Sequence, residues 1–261
     1  RNLLIFENLI FVLYIDHYYT MNNNAGPHIG AEIPIAFCIP TTSRSTDWRQ
    51  VEDTHLWRIL LPSLSSYCPG HRITMFIGYD LGDPIFEEEK NQLKISSTFN
   101  LFRFQWFGFR PEPGNVVRIW NNLAAYAIEA GHEYLKILGD DIRFPNDSYW
   151  LSAMLNKLKR NNNVGWAAGW SNNDDIATQF LIHKTHIRIY GSVFPAQLTN
   201  YYCDDFMNQI YPAKYKIWLK SFPLLNCGGR PRYVPRDDQQ LCRMLVHRVR
   251  PKLAAFLKNN P

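Results

Sequence analysis

The sequence predicts an α/β protein, a mostly parallel central sheet flanked by helices in a single domain. Short apolar strands alternate with helical stretches from residue 33 onward. Polar loops follow the first, second and fourth of these strands, and in open α/β sheets ligands collect beyond the carboxyl ends of the strands. The chain has 261 residues, 46% hydrophobic and 20% charged, which is enough for one sizeable core and excludes a disordered or fibrous protein.

The N-terminal stretch "RNLLIFENLIFVLYIDHYY" is broken by Glu7, Asn8 and Asp16, whereas a membrane span needs about 20 predominantly apolar residues. It shows no small-residue cleavage site. With the linker-like "NNNAGPHIG" after Met21, residues 1–32 read as an extension or docking segment ahead of a domain at 33–261. "IPIAFCIP" is a buried strand closed by Pro40. Asp47 then opens a helical stretch with Val51, Leu56, Ile59, Leu60 and Leu64 at helical spacing. "RITMFIGYD" and the aromatic "FNLFRFQWF" are the second and third strands. "NVVRIWNNLAAYAIEAG" is the clearest helix, stopped by Gly131, and "YLKIL" is the fourth strand. Beyond residue 145 come a helix in "SYWLSAMLNKLK", strands in "VGWAAGW" and "TQFLIHK", a short helix stopped by Gly191, and a helix beginning near "NYYCDD". A strand in "YKIWLKSF" and a terminal helix that Pro251 is expected to kink or break complete the chain.

Net charge is +5, with the basic residues dispersed apart from a C-terminal cluster from Arg230 to Lys252, and no nucleic-acid partner is expected. Five cysteines without close pairs suggest neither a zinc knuckle nor a disulfide framework, and favour a reducing compartment. The chemistry points to "YLKILGDDIRF". Asp140 and Asp141 end a strand, where neighbouring carboxylates repel unless a cation lies beside them. A hard divalent ion held by one or two carboxylates, its other positions filled by water and diphosphate oxygens, is the usual way to hold a nucleotide's phosphates. The alternative is a turn in which an aspartate caps the next segment.

The chain resembles GT-A fold glycosyltransferases, close in pattern to the family-two group and to glycosyltransferase-like proteins of giant DNA viruses. "IPTTSR" (Pro40, Thr41, Thr42, Ser43, Arg44) resembles the first-strand signature that lies against the nucleotide. "GYDLGD" resembles the second-strand turn, with Asp80 at the place that meets the base. "LGDDIRF" resembles the DXD motif, which puts Asp141 on the metal and Asp140 towards the ribose and diphosphate, with Gly139 replacing the first aspartate. Arg118 and Asn121 stand on the helix where the group often places a donor-contacting residue.

The resemblance implies a nucleotide-sugar-binding half at 33–145 and an acceptor half at 146–261. It further implies Mn2+ or Mg2+ as cofactor, a nucleoside diphosphate sugar as donor and a glycan or glycoprotein acceptor. In inverting members a carboxylate from a later acidic motif takes the acceptor's proton. Asp205, beside Asp204 in "NYYCDDFMNQ", is the expected base; helix capping by Asp204 is the other reading. Asp174 and Asp175 form a second acidic pair. Trp166 and Trp170 can stack on a sugar or fill the core. Arg230 and Arg232 in "CGGRPRYVP" can reach diphosphate oxygens, and His247 is the expected histidine of the metal shell or, alternatively, a helix-face residue. Two competing readings are a sugar-nucleotide nucleotidyltransferase, which would show a glycine-rich first loop where "IPTTSRST" has none, and a non-catalytic carbohydrate-binding or virion protein. A sequon at Asn146 beside the predicted crevice, where a glycan would obstruct it, joins the cysteine pattern in favouring a cytoplasmic location, of an infected cell if the protein is viral.

Overall fold

The computed structural model describes residues 33–67, 72–172, 176–229, 232 and 234–260. The expected N-terminal extension, Arg230 and the Asp174–Asp175 pair lie outside these described residues.

β1 (Ile35–Pro40) is buried at every position, as befits a strand covered on both faces. It pairs in parallel with β2 (Ile73–Asp80) on one side and β4 (Tyr134–Ile137) on the other; β3 (Arg103–Phe109) extends the sheet beyond β2. On the β4 side, β7 (Leu181–His183) is antiparallel, followed by β6 (Trp166–Trp170) and the edge strand β8 (Lys216–Pro223). The order is β3-β2-β1-β4-β7-β6-β8, and β7 alone of the seven runs against the rest. Successive connections leave β1 toward β2 and β3, then return to place β4 on its other side. The topological switch point therefore falls between β1 and β4, which opens a crevice at their carboxyl ends.

The pleat sorts β1 into two cores. Ala36 and Cys38 face a cluster with α3 (Val116–Glu129), α5 (Thr185–Tyr190), α6 (Cys203–Ile210) and α7 (Gln239–Asn259). Ile35, Phe37 and Ile39 face the other, with α1 (Leu61–Tyr67) and α4 (Trp150–Arg160). Asn115 caps α3 by accepting the Arg118 N–H at 3.1 Å, and Gly191 ends α5 at φ +95°.

Some elements depart from expectation. The stretch after Asp47 forms a 3-10 turn at Val51–Asp53 and a π turn at Leu56–Leu60 before α1 begins. Pro62 has no N–H to offer the Arg58 carbonyl, and the Leu61 N–H reaches back to Leu56 instead. α2 (Glu89–Thr98) was not anticipated because Ile95 is its single buried residue and its apolar periodicity is faint. A two-stranded ribbon of β5 (Ile142–Arg143) and β9 (Leu225–Asn226) also escaped notice, since two-residue strands have no period to detect. α7 runs through Pro251 as one helix. No helix among the described residues is long and apolar enough to cross a membrane.

Lys136, in the middle of β4, is fully buried; its ammonium donates to the Gln179 carbonyl and lies 5.7 Å from the Trp150 ring. Burial lowers this lysine from 10.5 to about 7. The unfolded chain thus binds a proton that the folded chain lacks between those pH values, so this group makes stability rise as pH climbs from about 7 towards 10.5. Lys136→Met is expected to flatten that rise, measured as denaturant midpoints at neutral and alkaline pH; an unchanged slope would assign it to another group.

Candidate functional site

The crevice between β1 and β4 is built by the loops that leave them. After β1, the Thr41 N–H donates to the Gly78 carbonyl at 2.8 Å and keeps the loop on the sheet. Asp83, after β2, then organises it. Its carboxylate accepts from the Ser43 N–H and hydroxyl, both at 2.7 Å, from the Thr42 hydroxyl at 3.2 Å, and from the Ile85 and Phe86 N–H groups at 3.0 Å. Five donors on one buried carboxylate lock two loops together. Arg44 spans the same turn, donating to the Leu81 carbonyl at 3.1 Å and lying 3.6 Å from Asp80.

After β4, the turn carrying the two aspartates is held from several sides. The Leu138 N–H reaches the Cys38 carbonyl at 3.3 Å, the Gly139 N–H reaches Gln179 Oε1 at 3.2 Å, and the Cys227 N–H donates to the Asp141 carbonyl at 2.9 Å. Phe144, packed 4.6 Å from Trp150 and 6.2 Å from Phe37, anchors the chain that leaves the turn. A carbon added at Gly228 would lie 1.9 Å from Asp141 Oδ2, and one at Gly139 2.7 Å from Oδ1. Both glycines are therefore needed for the Asp141 carboxylate to stand where it does.

Across the switch point the Thr41 hydroxyl donates to Asp140 Oδ2 at 2.7 Å. Arg232 grips both oxygens of Asp140, donates to the Thr42 carbonyl at 2.8 Å and sits 5.4 Å over the Trp48 ring. Trp48 in turn packs edge-on against His55, 4.7 Å away. His55, Asp140 and Asp141 bring one donor atom each within 4.8 Å of one another.

Burial, and next the charge of Asp140, raise Asp141 to about 6, against the pull of Arg232. Burial holds His55 below its usual value despite Asp140, with Arg232 adding to the effect. A neutral imidazole beside two carboxylates, one of them raised by burial, is a donor set suited to a divalent cation; the Nδ1 of His55 is buried without a hydrogen-bond partner.

The sequence-expected residues divide into groups. Thr41, Thr42, Asp140, Asp141 and Arg232 meet at the crevice. Ser43, Arg44, Asp80 and Arg118 form its neighbouring rim: Asp80, raised by burial, feels the charges of Arg44 and Arg118, while Arg118 is also paired with Glu112 at 2.9 Å. Asn121 has both ends of its amide on the Phe194 backbone, at 2.9 and 3.0 Å, and so clasps that loop rather than facing the crevice. The histidine beside the aspartates is His55; His247 stands exposed on α7, outside that group.

Asp204 and Asp205 lie in the first turn of α6, and Asn200, three residues before that helix begins, donates to the Gly114 carbonyl at 2.8 Å, next to the start of α3. That places the pair at the crevice end of the sheet but outside the His55–Asp140–Asp141 group. Burial, and then Asp205, raise Asp204 to about 7. Trp166 is wholly buried and donates to the Met207 carbonyl at 3.0 Å, so it is core, whereas Trp170 is partly exposed.

Sequence reasoning missed Asp83, Trp48 and His55. Asp83 carried a signal, an aspartate before Pro84 with free N–H groups two and three residues on; the other two carried none. Asp83→Ala is expected to cost about 2–4 kcal/mol by stranding these donors, measured by chemical denaturation. Gly228→Ala is expected to lower the melting temperature and to abolish stabilisation by manganese, because the added carbon would lie 1.9 Å from Asp141 Oδ2 and 2.8 Å from its Cβ and so displaces that side chain; retained manganese stabilisation would count against Asp141 as a ligand.

No protein-family model matches the sequence, and no curated protein does. Solved structures are similar in three dimensions. TarS 1-349 of S. aureus in complex with UDP-GlcNAc aligns with a TM-score of 0.55 at 11% identity, over 82% of this chain and 65% of that one; a longer S. aureus TarS chain gives 0.54 at 10%, with 39% of its length covered. This chain thus spans less than two thirds of the TarS chains it matches. The mannosyltransferase PcManGT from Pyrobaculum calidifontis, in complex with GDP-Man and Mn2+, aligns with a TM-score of 0.55 at 11% identity, over 97% of this chain and 72% of that one. At these identities the likeness is one of architecture, and the architecture is the GT-A fold, a mostly parallel seven-stranded sheet flanked by helices.

Proposed function

We propose that the protein is a glycosyltransferase of the hexosyltransferase kind, moving a sugar from a nucleoside diphosphate donor to a hydroxyl of a glycan or glycoprotein. One observation carries the reading. Two carboxylates and the imidazole of His55 converge at the topological switch point of a GT-A sheet, where the fold collects nucleotide ligands. Asp141, His55 and Asp140 would hold Mn2+ or Mg2+, and a bound cation offsets the charge that develops on a leaving diphosphate.

The chain's own residues do the rest. Asp140, fixed by Thr41 and Arg232, orients the ribose and diphosphate side of the donor. The 40–44 loop and Asp80 receive the nucleoside, and Arg118 and Arg44 supply positive charge to this rim. Arg232, held on Asp140 and 2.8 Å from the Thr42 carbonyl, adds positive charge to the same crevice on the side where diphosphate oxygens would lie. The acidic pair on α6 supplies the base. Asp205 accepts the proton of the acceptor hydroxyl as its oxygen attacks the anomeric carbon and the bond to diphosphate breaks, which inverts that carbon. Asp204 beside it is raised to about 7, by burial first and then by the charge of Asp205.

A thermal-shift screen of nucleoside diphosphates and their sugars with manganese or magnesium tests the reading. At a hundredfold excess over Kd a ligand stabilises by about 2.7 kcal/mol, on the order of 5–10 °C for a chain of this size. Asp141→Ala and His55→Ala are expected to remove the metal-dependent part of that shift. A folded protein that responds to no nucleotide sugar under any of these conditions would sink the proposal.

A further inference from the structure

We propose that a second groove, remote from the crevice, binds an anionic saccharide, a sugar chain carrying phosphate, sulfate or carboxylate groups. Lys157, Arg160 and Asn161 at the end of α4, with Lys214 in the 3-10 turn Ala213–Tyr215 and Lys216 and Trp218 at the start of β8, line a groove of about 410 Å³. β8 runs parallel to β6, and its first residues lie at the amino ends of the strands, the edge of the sheet opposite the crevice.

Charge is what sets this groove apart. Four cationic side chains line it without a carboxylate, and none of the ion pairs found among the described residues engages them. Arg250 of α7 adds a fifth cation close enough to bear on Lys216. Two ordinary uses account for part of this. Cations in the last turn of α4 answer the negative end of its dipole, but that end amounts to only about half a charge. A lysine on edge strand β8 deters unwanted strand pairing, but one suffices. The surplus sits in a concavity, where a field of one sign is focused.

The frame is rigid. Asn161 Nδ2 donates to the Val164 and Lys214 carbonyls, both at 3.1 Å, and the Trp218 indole donates to the Gly169 carbonyl at 3.0 Å. Gly165 lets the Tyr215 backbone come so near that a carbon added to it would lie 2.0 Å from that carbonyl.

A cation-lined groove with the apolar Ile217 and Leu219 suits a charged sugar unit, whose ring packs on apolar surface while its anions meet the lysines; the Trp218 ring packs toward the other face of the sheet, under Lys220. Membrane-surface segments present large apolar or aromatic residues beside their basic ones, and single-stranded nucleic acid is held on several stacking rings; this groove has neither an exposed large apolar residue nor a set of rings. The choice of a saccharide rests on the proposed transferase reading; the affinity for anions does not.

Calorimetric titration of the full chain, without nucleotide or metal, with a heparin-derived sulfated tetrasaccharide tests the inference. A neutral tetrasaccharide, an RNA oligonucleotide and phosphatidylserine-containing vesicles serve as comparisons. The sulfated sugar is expected to bind at physiological ionic strength and the neutral one not. The combined variant Lys157→Glu, Arg160→Glu, Lys214→Glu is expected to weaken binding about tenfold or more, whereas Arg243→Glu with Arg248→Glu, exposed on α7, changes it less than about twofold. Asp141→Ala is expected to bind like the parent, which separates this result from the fate of the catalytic reading. Hydrogen exchange on the unaltered protein, which needs no variant to fold, is expected to show protection at residues 157–161 and 214–219. Equal losses from both charge reversals, protection elsewhere, no binding of the sulfated sugar, or tighter binding of RNA or vesicles would overturn the inference.

Discussion

The grip of Arg232 and Thr41 on Asp140 is the constraint around which the rest of the site is arranged. Asp140 is only 1% exposed, and a polar group so buried is costly unless it is paired and hydrogen-bonded. Its partners come from far along the chain, 99 residues before it in the case of Thr41 and 92 after it in the case of Arg232. One interaction therefore ties the loop after β1, the turn after β4 and the segment before α7 into a single wall of the crevice. Removing one partner of such a buried pair costs about 3–5 kcal/mol, chiefly because the other charge is left stranded.

Around that pair the remaining charges fall into place by burial rather than by contact alone. Asp141 has its carboxylate confined between Gly139 and Gly228, beside a second aspartate, and burial raises it even with Arg232 near. His55 is kept neutral in the same pocket. Burial is the first cause of both shifts, and a divalent cation bound there would favour the ionised carboxylate and the neutral imidazole alike. The Asp83 cluster does a different job. It spends a whole carboxylate on five protein donors and so stiffens the loop that presents Thr41. The two acidic residues of the second-strand turn thus divide their roles: Asp83 turns inward to the backbone, and Asp80 stays at the rim beside Arg44.

The two faces of the sheet impose their own order. The alternation along β1 sends Phe37 into the core that also receives Phe144 and Trp150, and this aromatic contact holds the exit of the aspartate turn. On the other face, α3 and α6 meet near Gly114 and Asn200, so the later acidic pair reaches the crevice end of the sheet through helix packing. Thr41, Asp140, Asp141 and Arg232 of the candidate site lie on loops because the strands beneath them are too completely buried to face a ligand.

Much of the architecture was present in the sequence itself. The strands Ile35–Pro40, Ile73–Asp80, Arg103–Phe109 and Tyr134–Ile137, and the helix Val116–Glu129, appear where apolar runs and a 3.6-residue period place them, because those patterns are local. Asp140 and Asp141 could be singled out for the same reason, as charges at the end of a buried strand. What remained hidden was every choice that depends on distance in space. Which histidine stands by the aspartates, that Asn121 serves a loop, that Asp83 outranks Asp80 as an organiser, and that Arg232 closes on Asp140 all follow from contacts between distant segments. Local pattern determines that a residue lies on a strand, a helix or a turn. Only the packed sheet decides which side chains share a low-dielectric pocket, and it is that shared burial which gives His55, Asp140 and Asp141 a chemistry that none of them has alone.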